Sequence, residues 1–159
     1  MSQRSKTHRS EAESRLKFTI RCPVYPTEDS QIVVNALENF LKTASLDERP
    51  VGQNRLEITA SSEERDFLHI IRQIIHQRKI IDAVRTRILA NWNGLDASFV
   101  LFDKQAAIMR KLKLVDNREE VPPLGAIRLE CTFASDAEFD DFLSWFVPPT
   151  ENGHVLDAR

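Results

Sequence analysis

Two clusters of side chains in this sequence have the types and spacing to grip an anion. Arg110, Lys111 and Lys113 interleave with Leu112 and Leu114. On a strand that spacing puts Lys111 and Lys113 on one face and the leucines on the other. The same pattern serves a phosphate-contacting patch or a solvated sheet face. Arg78, Asp82 and Arg85 stand at i, i+4 and i+7. On a continuous helix Asp82 pairs with either arginine. It then orients the helix or holds a guanidinium ready for bidentate contact with phosphate.

The other polar candidates are weaker. Glu28 and Asp29 could serve acid–base or magnesium chemistry, but adjacent carboxylates at a helix start usually cap it. Glu138, Asp140 and Asp141 invite the same reading. His69 and His76 are seven apart, whereas paired metal ligands on a helix stand four apart. Cys22 and Cys131 lack zinc spacing and lie in strand-like apolar patterns, as buried free thiols do. The four glycines, Gly52, Gly94, Gly125 and Gly153, are dispersed, which excludes a glycine-rich phosphate cradle. The sequence thus assigns no catalytic residue, metal ligand or cofactor and leans away from an enzyme.

The elements that must position these residues follow from periodicity. Leu16, Phe18, Ile20, Cys22 and Val24 alternate as a half-buried strand. Val33, Ala36, Leu37, Phe40 and Leu41 form a helical stripe behind the capping run Thr27 to Ser30. Ser45 to Asn54 reads as a loop, and Leu56, Ile58 and Ala60 as a second strand. Ser61 and Glu64 have capping-box spacing ahead of a long helical region, 62–92, whose apolar stripe lapses at His76 to Lys79. A bend or break is expected there. Ala97 to Asp103 reads as a central strand, Lys104 to Ala107 as a helical turn or bulge, and Met109 to Val115 as a fourth strand. Leu124 to Phe133 gives a fifth. Ser135 and Glu138 cap a last helix that Pro148 and Pro149 stop.

The expected fold is therefore α+β: a two-layer sandwich with a mixed sheet of about five strands and helices on one face, in the order β-α-β-α-β-β-β-α. The chain's 159 residues suit one domain. That domain is placed at 16–149, between a polar N-terminal tail (1–15) and a C-terminal tail (150–159). No secretory signal or bilayer-length apolar run is visible, which points to a cytoplasmic location and no membrane partner. Charge is uneven. Arg65 to Lys113 holds ten Lys/Arg against four Asp/Glu, whereas Leu114 to Arg159 holds three against ten. Either the two regions neutralise each other in space, or the basic middle faces nucleic acid.

Several segments resemble an uncharacterised archaeal family, UPF-0201. They are Val24-Tyr25-Pro26-Thr27-Glu28-Asp29, Asn39-Phe40, Arg78 to Arg85, Lys104-Gln105-Ala106-Ala107 and Leu124-Gly125-Ala126-Ile127. The Pro-Thr-Glu-Asp and Lys-Gln-Ala-Ala runs are the most specific. The family pattern places a glycine shortly after Lys-Gln-Ala-Ala, where this chain has Ile108, Met109, Arg110 and Lys111. The resemblance implies a fold like that of the ribosomal protein that binds the five-S RNA, and no assigned activity. It also draws attention to Lys104 as a phosphate contact and Gln105 as a base or sugar contact. The alternative there is a turn with both side chains solvated. Phe99 and Phe102 have opposite parity, so at least one faces the core, and burial of both is expected over base stacking. The leading reading is a non-catalytic RNA-binding module using Arg78, Arg85, Lys104, Gln105, Arg110, Lys111 and Lys113. The alternative is a protein-interaction or homodimerising scaffold, and an enzyme with an unrecognised site ranks last.

Overall fold

The structure, a computed structural model, describes residues 16–41, 45–115, 122–151, 154 and 155. The N-terminal tail expected at 1–15 lies outside the described residues. The first strand, β1 (Lys17–Val24), alternates strictly, burying Phe18, Ile20, Cys22 and Val24. Four more strands flank it: β2 (Asp47–Pro50), β3 (Leu56–Ser62), β4 (Ala97–Asp103) and β5 (Ala126–Thr132). They lie in the order β2-β3-β1-β5-β4. Every pairing is antiparallel, so the sheet of the expected two-layer sandwich is not mixed.

The strand residues of one parity meet the helices in a single core. Ile58, Val100, Phe102, Ile127, Leu129 and Cys131 join those of β1 there. The helices are α1 (Ser30–Glu38), α2 (His69–Gln77), α3 (Ile81–Ala90), the short α4 (Lys104–Ile108) and α5 (Asp136–Phe146). An aromatic cluster fastens α5 to the sheet: Phe18, Phe133 and Phe146 ring Phe142, and Trp92 stacks on Phe139 at 4.0 Å. Burying each such ring contributes about 1.5–3 kcal/mol.

Local chemistry sets the boundaries. Asp29 caps α1, its carboxylate accepting the Gln31 N–H. Ser135 and Glu138 form the expected box on α5, with Glu138 reaching back to the Ala134 N–H. The box expected at Ser61 does not form. There β3 runs on to Ser62, whose hydroxyl takes the Glu64 N–H before a 3₁₀ turn at Arg65–Leu68. The long helical region does break, at Arg78 to Ile80. Lys79 adopts φ +59°, and the Ile80 N–H closes onto the Ile75 carbonyl, a left-handed helix stop.

Two strand assignments differ from the periodicity. The expected loop 45–54 contains edge strand β2, while Met109 to Val115 is not a full strand. Arg110 takes φ +63°, and the Lys111 N–H reaches back to the Ala106 carbonyl to end α4. The chain then pairs briefly with the β4 edge, Asp103 N–H donating to Lys113 O and Val115 N–H to Leu101 O. In the expected C-terminal tail, Thr150–Glu151 pairs with His154–Val155 as a small hairpin. Among the described residues no helix is long and apolar enough to cross a membrane.

Candidate nucleic-acid interface

The described helices occupy one side of the sheet, and among the described residues the opposite parity makes an open face. Across its centre Arg21 of β1 stands in register with Arg128 of β5, which stands in register with Leu101 of β4. Like charges directly opposite repel. Here the Glu130 carboxylate bridges them. Glu130 takes Arg21 Nε at 3.1 Å and Arg128 Nε at 2.6 Å, and Glu57 lies 3.5 Å from both Arg21 and Arg49. The Arg128 guanidinium also lies over Phe99, 3.8 Å from the ring centroid. Phe102 is buried, whereas Phe99 is half-buried on the open face, so the expectation that both are buried fails for Phe99.

At one end of this face the β2–β3 hairpin brings Arg55 over Tyr25, 5.5 Å from its ring centroid. Left-handed Gly52 and Asn54 (φ +69° and +55°) make that hairpin turn. Gly125, at φ +87°, brings the start of β5 against Pro23 of β1. A recess of about 300 Å³ opens between these elements, with Arg21, Arg55, Arg128 and Glu57 among its walls.

The seven residues singled out from the sequence do not form one patch. Lys104 is 1% exposed. Its ammonium donates to Glu28 Oε1 and to the Pro23 carbonyl, each at 2.7 Å, and lies 5.3 Å from the Tyr25 ring centroid. It has no surface to offer a phosphate. Glu28 in turn accepts the Tyr25 N–H at 2.9 Å, so the pair ties the turn after β1 to α4. Arg78 and Arg85 belong to the helical layer, behind the open face. The helix break separates Arg78 from the other two, and Asp82 accepts the Thr150 hydroxyl while Arg85 donates to the Val147 carbonyl. Gln105, Arg110, Lys111 and Lys113 are exposed on α4 and the segment that follows it, which leads onto the β4 edge.

Much of the basic middle has a structural task. Arg72 Nε donates to Trp145 O at 2.7 Å, His76 Nε2 to Phe146 O at 2.9 Å and Arg85 Nη1 to Val147 O at 2.8 Å. These carbonyls end α5, where the helical ladder leaves acceptors open and favours positive charge. Arg65 pairs with Asp141 of the same helix. The acidic end and the basic middle thus meet within one chain. Among the described residues no group of three or more His, Cys, Asp or Glu is placed to hold a metal ion. Both cysteines are buried and free; burial pushes the Cys22 thiol up to about 12 and raises Cys131 also.

Sequence reasoning missed Arg21, Arg49, Arg55, Arg128 and Tyr25. Their signal is a basic or aromatic residue at the outward parity of a strand or in a hairpin turn, which any solvated sheet also shows.

Comparison with known proteins places this geometry. A family model described as RNA binding matches residues 17–133. A UPF0201 protein of Aeropyrum pernix is 30% identical over 92% of this chain and 94% of its own length. One from Methanosarcina acetivorans is 29% identical over 87% of this chain and 88% of its own. The fold matches the crystal structure of the UPF0201 protein from Methanococcus jannaschii, with a TM-score of 0.75 at 18% identity over 89% of this chain and 99% of that one. It also matches protein SSO0741 from Sulfolobus solfataricus, with a TM-score of 0.60 at 18% identity over 82% and 96%. With nearly its whole described sheet inside the matched region, this chain belongs to the archaeal UPF0201 family.

Proposed function

We propose that the protein binds RNA through the open face of its sheet. The observation that carries this reading is the pair Arg21 and Arg128, in cross-strand register on a face that no described helix covers, bridged by Glu130, with the Arg128 guanidinium over Phe99. Guanidinium groups fixed in this way present planar, cationic surfaces to bases and forked donors to phosphates. The description of the matched family model supports the same partner class. Arg110, Lys111 and Lys113, exposed beside the β4 edge, extend the face with sequence-independent backbone contacts, whereas Gln105 lies on α4 in the helical layer, beside Ile32 and Val33 of α1. Lys104, Arg78 and Arg85 have no part in it.

The test is retention of RNA by the purified, nuclease-treated protein at about 50 and 200 mM salt. The Arg21→Gln/Arg128→Gln and Lys111→Ala/Lys113→Ala variants run beside it. Binding that weakens with salt, is lost in the first variant and shows a shallower salt slope in the second is the expected result. No binding at the lower salt, or binding untouched by the Arg21→Gln/Arg128→Gln change, overturns the proposal.

A further inference from the structure

We infer that the recess between Tyr25 and Arg128 receives one unpaired nucleotide, so that the protein selects single-stranded over duplex RNA; this rests on the reading that the open face binds RNA. The recess, at about 300 Å³, is at the small end of ligand sites. Pro23, Leu101 and Ala126 give it an apolar floor, suited to the face of a base and not to a phosphate. Its wall carries flat groups, the Tyr25 ring with the Arg55 guanidinium lying over it. Unstacked bases pack on aromatic rings and on guanidinium planes.

The polar groups are placed to complement a nucleotide. Glu57 borders the recess and stands 3.5 Å from Arg21 and from Arg49, beyond ordinary hydrogen-bond length, so its carboxylate retains acceptor capacity for a base-edge N–H. Arg55 is exposed at the rim, and Arg21 and Arg128 are partly exposed, which puts cationic forks where the flanking phosphates run. A base can reach this floor only when it is out of a stacked, paired helix. A-form duplex offers side chains its phosphates, hydroxyls and shallow groove, and these would meet the face without entering the recess.

The experiment measures binding of a 12-nucleotide single strand and of a duplex containing the same strand, at low salt, by fluorescence anisotropy. It uses the full-length protein and the variants Arg55→Ala and Tyr25→Leu, with circular dichroism checking the fold. Arg55 is an exposed hairpin residue, so its variant keeps the test valid if Tyr25→Leu fails to fold. The expected result is single-strand binding roughly tenfold or more tighter than duplex binding, with that margin reduced about tenfold in the variants, the scale of one lost base stack. Equal or tighter binding of the duplex overturns this inference and leaves RNA binding standing. A single-strand preference unchanged in Arg55→Ala overturns the assignment to this recess. Absence of binding to either RNA overturns the parent proposal and this one with it.

Discussion

Replacing Lys104 with Met separates its two candidate roles. The substitution keeps an unbranched apolar stem out to Cε and removes the terminal ammonium with its charge and donors. Glu28, 8% exposed at its side chain, then keeps the Tyr25 N–H and loses its ammonium partner. Removing one partner of a buried pair costs about 3–5 kcal/mol, because the remaining charge stays buried without compensation. With a urea slope of roughly 2 kcal/mol/M, the lower figure moves the unfolding midpoint down by about 1.5 M. The neutral double variant Lys104→Met/Glu28→Gln restores a large part of the loss, because no isolated charge then remains inside. The assay is urea denaturation followed by circular dichroism on the wild type, both single variants and the double. RNA binding by the folded Lys104→Met protein should match wild type. A loss below about 1 kcal/mol, the range of exposed pairs, would refute the reasoning. So would a selective loss of RNA binding without a loss of stability.

Four further outcomes follow from the backbone and the thiols. Arg110→Gly should stabilise the protein by about 0.5–1 kcal/mol. It relieves a left-handed cost of roughly 1–2 kcal/mol against a looser unfolded chain, and a lower melting temperature would contradict it. Gly125→Ala should destabilise by about 2 kcal/mol or more, since its Cβ would stand 2.6 Å from Pro23 Cγ at φ +87°; an unchanged melting temperature would rule this out. Cys22, pushed up to about 12 by burial, keeps its proton in the folded state after the unfolded chain has begun to lose it at roughly pH 8.5. Its contribution is therefore complete below that pH and declines as the pH climbs towards 12, and Cys22→Ala should flatten that decline in urea midpoints. Native protein should also resist thiol labelling near neutral pH, with both cysteines reacting only in denaturant.

The alternation of β1 and β5, the stripes of the helices and the Ser135 box were readable because each is encoded within a few residues. The failures share a different physical character. Edge strand β2, Asp-Glu-Arg-Pro, has all four residues exposed and therefore no alternation to detect. Leu112 and Leu114 do alternate with lysines, but Arg110 turns the chain in the left-handed region first, at one of the four positions where the family pattern expects glycine. Nothing near Lys104 announces its burial. Its partner lies 76 residues earlier, and the two runs that carried the most specific family resemblance turn out to be the two ends of that ion pair.

Charge counting misled for the same reason. The sequence surplus in the basic middle is six, and four of its cations, Arg65, Arg72, Arg85 and Lys104, are committed to Asp141, to the end of α5 and to Glu28. The open face, by contrast, sets Arg21, Arg49 and Arg128 against Glu57 and Glu130. Its local surplus is small, and what distinguishes it is geometry. Glu130, between the cross-strand pair Arg21 and Arg128, offsets the repulsion that the register would impose, and its bonds to both Nε atoms orient the two guanidiniums. On the proposed reading, such a face would bind RNA less through counterion release than through flat, oriented surfaces. For that reason its preferred RNA should be one whose bases are free to lie against them.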